Sequence, residues 1–149
     1  MQGISSHTTS TRNLERFLAV IGTAVCLLVS AGLWRVFSAQ QPMWPLPDLY
    51  LLEMLAASVL GMWCIWSSGS RQSPLRGFLI WAMVGVLFAF VIMGAWSVGF
   101  LFIPVAGLFA IAAVLFDRRQ RYNLVVHLCV GLAAALTQSA LMLTVIRFL

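Results

Sequence analysis

GFLIWAMVGVLFAFVIMGAWSVGFLFIPVAGLFAIAAVLF, residues Gly77 to Phe116, is a run of forty residues without a charge. As one helix it would extend about 60 Å at 1.5 Å per residue, roughly twice the hydrocarbon core of a bilayer. It must fold back. Only GAWSVG, Gly94 to Gly99, gathers small and interfacial residues near its middle. The reading therefore places one span over residues 74–95 and another over 98–116, joined by a very tight hairpin. Pro104 lies a turn or so into the second span, where its missing N–H is expected to kink the helix.

Working outward, the first twelve residues are Ser/Thr-rich and read as a short polar tail, with Asn13 as the first helix cap. An apolar span follows over residues 14–38. AQQPMWPLPD then carries three prolines, Pro42, Pro45 and Pro47, which exclude helix and favour an extended path. Asp48 is expected to cap a span over 49–67, and Ser73-Pro74 reads as a cap plus first-turn proline for the next helix. The last span runs over 124–148. The fold expected is an all-α, polytopic bundle of five transmembrane helices with short loops, residues 13–149 forming one domain.

Composition agrees. The chain is 149 residues long, 62% apolar and only 9% charged, with a mean hydropathy of +0.98. Phe17 to Gly32 follows Arg12 and Arg16 as a signal peptide would, but it is longer than a usual signal core and reads as an uncleaved span. Cys26, Cys64 and Cys129 have no C-x-x-C spacing and fall inside apolar runs, which argues against a disulfide framework or a thiol-redox motif. The basic excess does not point to nucleic acid, because no segment is long enough to present a basic stripe to water.

Arginine placement orients the bundle. All nine basic residues are arginine. With five spans, Arg12, Arg16, Arg71, Arg76, Arg118, Arg119 and Arg121 fall on one side and only Arg35 and Arg147 on the other. Positively charged loops resist translocation, so the richer side is expected to be cytoplasmic. The N-terminus is then inside and the C-terminus outside. Trp34, Trp44 and Trp96 fall at the outer boundary, and Trp63, Trp66 and Trp81 towards the inner one, as interfacial indoles do. Small residues four apart foreshadow helix contacts: Gly22, Cys26 and Ser30; Ala57 and Gly61; Gly85 and Ala89; Ala106 and Ala110; Gly131, Ala135 and Ser139.

Few residues carry chemistry. Glu53 lies about one and a half turns into the second span, roughly 7 Å below the outer boundary. Such a carboxylate binds a proton or cation, pairs with Arg35 at the same level, or snorkels to water; the pair Arg35–Glu53 is the expectation. His127 lies at a similar depth from the inner side. It could ligate a haem or a pigment metal, or simply hydrogen-bond a neighbouring helix. With no second intramembrane histidine, no metal-containing cofactor is expected on it. Thr137, Gln138 and Ser139 either line a polar path with His127 or bond across helices. The sequence contains no H-E-x-x-H, G-x-S-x-G, Walker A or Rossmann pattern.

These readings lead to a non-enzymatic protein of the cytoplasmic membrane, an accessory or assembly subunit meeting lipid, other membrane subunits or its own copies, and not nucleic acid. The alternatives are a small transporter or channel component using Glu53 and the polar face of the fifth span, and a haem- or pigment-binding subunit using His127.

Overall fold

The computed structural model describes residues 4–39, 46–67, 74–94 and 98–148. Five helices follow in order: α1 (Ile4–Ala39), α2 (Leu46–Trp66), α3 (Pro74–Met93), α4 (Ile103–Gln120) and α5 (Leu124–Phe148). A 3-10 turn over Gly99–Phe102 leads into α4. Counting that turn with α4, all five are long and apolar enough to cross a membrane, and no strand occurs among the described residues.

α1 packs on α2 and α4, and α3 packs on α2, α4 and α5. Between membrane helices there is little hydrophobic drive, because lipid tails are as apolar as leucine; close packing and hydrogen bonds hold them together. Phe109 of α4 supplies one such wedge. It is fully buried, and a Cβ at Gly22 of α1 or Gly61 of α2 would come within 3.0 Å of its ring. Thr23 adds a shared hydroxyl, donating to the Ala19 carbonyl at 2.9 Å and the Ser58 carbonyl at 3.3 Å.

The α3–α5 contact depends on glycine. A Cβ on Gly85 would overlap the Gly131 carbonyl, and one on Gly131 would stand 3.1 Å from the Trp81 carbonyl oxygen. α5 leans almost wholly on α3, and His127 and Gly131 are its only fully buried residues. The expected small-residue faces are thus occupied at Gly22, Cys26, Ser30, Ala57, Gly61, Gly85, Ala89, Ala106 and Gly131, whereas Ala110, Ala135 and Ser139 are only partly covered.

The forty-residue run does break at its glycines. α3 ends at Met93, and the Gly99 N–H donates to the Gly94 carbonyl at 2.7 Å. A Cβ on Gly99 would overlap the Gly94 backbone, so the chain can approach itself this closely only without side chains. Trp96 lies outside the described residues.

Several boundaries differ from expectation. α1 begins at Ile4, so part of the expected tail is helical and Asn13 is not a cap. A helix once nucleated gains a hydrogen bond for each residue it adds, which lets the apolar span extend backwards. α2 begins at Leu46, which puts Asp48 in the first turn, where the helix dipole favours an acid. Pro104 does not kink α4, because the helix starts at Ile103 and the proline sits where an N–H would be unpaired anyway. α4 continues to Gln120, beyond the expected end at Phe116. Ser73 lies outside the described residues.

The α4–α5 turn is short. Arg121 takes a left-handed conformation, φ 56°, and the N–H groups of Arg121 and Tyr122 both reach back to the Asp117 carbonyl. The side chain of Asn123 then accepts from the Val125 N–H at 3.1 Å and caps α5. This turn brings Asp117 and His127 onto facing helices.

Candidate functional site

At the end of the bundle shared by the N-termini of α1, α3 and α5, a buried polar network joins three helices. Asp117 of α4 is 1% exposed and His127 of α5 is 3% exposed. His127 Nδ1 lies 2.7 Å from Asp117 Oδ1, and Trp81 of α3 donates its Nε1–H to Asp117 Oδ2 at 2.7 Å. With the aspartate ionised, Nδ1–H is the donor, so both carboxylate oxygens receive a short, charge-assisted bond.

The imidazole is enclosed. Phe78 meets it edge-on with centroids 5.0 Å apart, and Tyr122 does so at 5.4 Å. Its far edge fills the space beside Gly77, where a Cβ would stand 2.6 Å from Cε1 and 3.1 Å from Nε2. A metal macrocycle at Nε2 would have to displace α3. His127 instead serves as the expected interhelical bond, with a partner that the sequence reading did not name.

Arginines line the same end. Arg119 donates Nε–H to Glu15 Oε1 at 2.9 Å, and Glu15 is 1% exposed. Arg16 donates to the Trp66 carbonyl at 3.2 Å and lies over the Trp66 ring, 5.2 Å from its centroid. Arg76 donates to the Ser67 carbonyl at 2.8 Å. These two cations satisfy carbonyls at the C-terminal end of α2, the negative end of its dipole. Arg118 is exposed in the last turn of α4, and Arg71 lies outside the described residues.

At the opposite end, Glu53 and Arg35 form no ion pair, and the expected pairing is corrected. Glu53 Oε2 accepts from Gln138 Nε2 at 3.0 Å, across from α2 to α5. Periodicity gives the reason. Arg35 stands nine residues after Cys26, which is fully buried against α2. Nine residues are about two and a half helical turns, so Arg35 points away from that contact. Of the polar residues expected near mid-span, Gln138 makes this bond, while exposed Thr137 closes its hydroxyl onto the Ala133 carbonyl at 2.9 Å.

Asp117, Glu15 and Trp81 are the polar residues that the sequence reading passed over. Asp117 abuts three arginines in the chain and drew no reading of its own; Trp81 is expected in the inner belt, yet it is 5% exposed and anchored by its indole N–H. A usable signal existed: an acid ending a long apolar run, with a histidine ten residues on and a tight turn between. Trp34, Trp63 and Trp66 are exposed as belt residues should be, and Trp44 lies outside the described residues. Among the described residues, no three His, Cys, Asp or Glu side chains are grouped to hold a metal ion. No known protein family, curated protein or solved structure matches the chain.

Proposed function

We propose that this is a non-enzymatic protein of the cytoplasmic membrane that works as an accessory or assembly subunit, docking other membrane helices through the outer face of α5. The observation that carries the reading is what α5 presents away from the bundle. Cys129, Ala133, Thr137, Ala140 and Thr144 are all exposed and follow one another three or four residues apart. Ala140 stands nine residues after Gly131, hence on the side opposite the α3 contact. Small residues at this spacing allow a further helix to approach closely. Thr137 and Thr144 bond their own backbone carbonyls, at 2.9 and 2.8 Å, so the face is free of unpaired hydroxyls.

The seven-to-two arginine split supports a cytoplasmic N-terminus and an external C-terminus. The test is a mild-detergent purification read by mass spectrometry, with Ala140→Phe as the blocking variant. The reading expects a stoichiometric companion, another subunit or a second copy, that Ala140→Phe removes without loss of helix content. A wild-type protein that purifies alone, or a companion indifferent to the substitution, would count against it. A second reading, a small transporter or channel component, is favoured by the pairing of Glu53 with Gln138 beside a cavity. The enclosure of His127 speaks against the haem or pigment reading.

A further inference from the structure

A groove opens between the first half of α2 and the second half of α5, with a volume of about 230 Å³. Its walls are mostly apolar, from Leu49 on α2 to Leu141, Met142 and Val145 on α5, and its polar groups include Glu53 and Gln138. Because a carboxylate only accepts, the Gln138 amide nitrogen is the atom that faces it, and the amide oxygen remains an acceptor. The Tyr50 hydroxyl, also at the groove, is already given to the Phe90 carbonyl at 3.0 Å. No basic side chain lines the groove, and Glu53 has no ion-pair partner among the described residues.

A carboxylate facing an apolar slot is complementary to a cation with an apolar tail. We propose that this groove binds a small primary alkylammonium, its head on Glu53 and the Gln138 carbonyl and its chain along Met142 and Val145. Gln138 and Val145 are seven residues apart on α5, about 10 Å along the helix, which gives room for an ammonium on a chain of about six carbons. A primary head fits because it carries three N–H donors for these acceptors. A quaternary head needs aromatic faces, and the Tyr50 ring is engaged edge-on by Phe90 and Phe102. A bare metal ion would lack oxygen ligands, since calcium takes six to eight. The proposal does not depend on the docking role of α5.

Radiolabelled hexylammonium, equilibrated with the full chain in zwitterionic nanodiscs against empty discs, tests it. Saturable binding of one molecule per chain is expected, with neutral hexanol a poor competitor. Glu53→Gln should weaken binding about tenfold or more, since a charge-assisted bond is lost while the amide contact survives. Val145→Trp, which fills the slot and leaves the charge in place, should abolish binding; if Glu53→Gln does not fold, this variant decides. Absence of saturable binding to the wild type, binding unchanged in either folded variant, or displacement by hexanol as readily as by hexylammonium would overturn the proposal.

Discussion

Removing one member of the Trp81–Asp117–His127 network should cost far more than removing the whole of it. Asp117 and His127 are 1% and 3% exposed, and both aspartate oxygens are bonded at 2.7 Å. His127→Ala leaves a buried carboxylate with one donor instead of two and an empty site beside Gly77; stranding a charge in this way costs about 3–5 kcal/mol. Trp81→Phe removes one bond to a charged group, about 1.5–3 kcal/mol. Asp117→Asn should be the mildest change. Its oxygen can take the indole N–H, and its amide can donate to Nδ1 once the imidazole adopts the other tautomer. The triple change Trp81→Phe, Asp117→Leu, His127→Leu should recover most of the His127→Ala loss, because apolar replacement of a buried pair is often neutral. Reversible unfolding in mixed micelles, arranged as a double-mutant cycle between Trp81 and His127, provides the measurement. The expected coupling is about 1 kcal/mol or more, since residues in one network interact by 0.5–3 kcal/mol. Additivity within about 0.3 kcal/mol would refute the network as one unit.

Gly85→Leu should separate α5 from α3, since even a Cβ there overlaps the Gly131 carbonyl; site-specific proteolysis or exchange should then open α5 before the other helices. Gly94→Val and Gly99→Val should each impair folding more than substitution at Gly32 or Gly107, where an added Cβ meets nothing within 4 Å; yields of folded protein provide the check. Reporter fusions at Gln120 should act as cytoplasmic and fusions after Leu149 as external, and the reverse result would discard the orientation. Arg35→Leu should leave stability within about 0.5 kcal/mol of wild type, as expected for a surface change without a partner.

The spans were legible because apolar runs of bilayer length have one economical solution in lipid, the helix that bonds its own backbone. The hairpin was legible for a similar reason: forty uncharged residues overshoot the membrane, and Gly94 and Gly99 offer the close approach that a reversal needs. Side-chain partners were harder to read. Level along the bilayer can be counted from residue number, and this count set Arg35 beside Glu53. Azimuth is fixed only when the buried face of each helix is known, and Arg35 lies on the far side of α1 from Cys26. Asp117 was missed through an analogous gap. It stands beside three arginines that were read only for orientation, and α4 extends one more turn than the apolar run, which carries Asp117 inward while leaving Arg118 exposed.

The polar contacts divide the bundle by how its helices are held. α1, α2 and α4 share the Phe109 wedge with its two facing glycines, and Glu15 ties α1 to α4 through Arg119. α5 has a different kind of attachment: the Asp117–His127 bond near its N-terminus, a glycine contact one turn further on, and the Glu53–Gln138 bond just past its middle. The two side-chain bonds reach past α3 to α4 and to α2, so they fix where α5 sits on α3 rather than how strongly it packs. Gln138 is seven residues beyond Gly131 and His127 four before it, so all three lie near one side of the helix. Placing these positions on a single line leaves the opposite side, with Ala133 and Ala140, uncovered by the described residues. A helix located by three points on one side can carry a partner on the other without disturbing the rest of the bundle. The same geometry makes the Glu53 end the place where occupancy of the groove would be felt by α5, since among the described residues the bond from Gln138 is the side-chain hydrogen bond that ties α5 to another helix there.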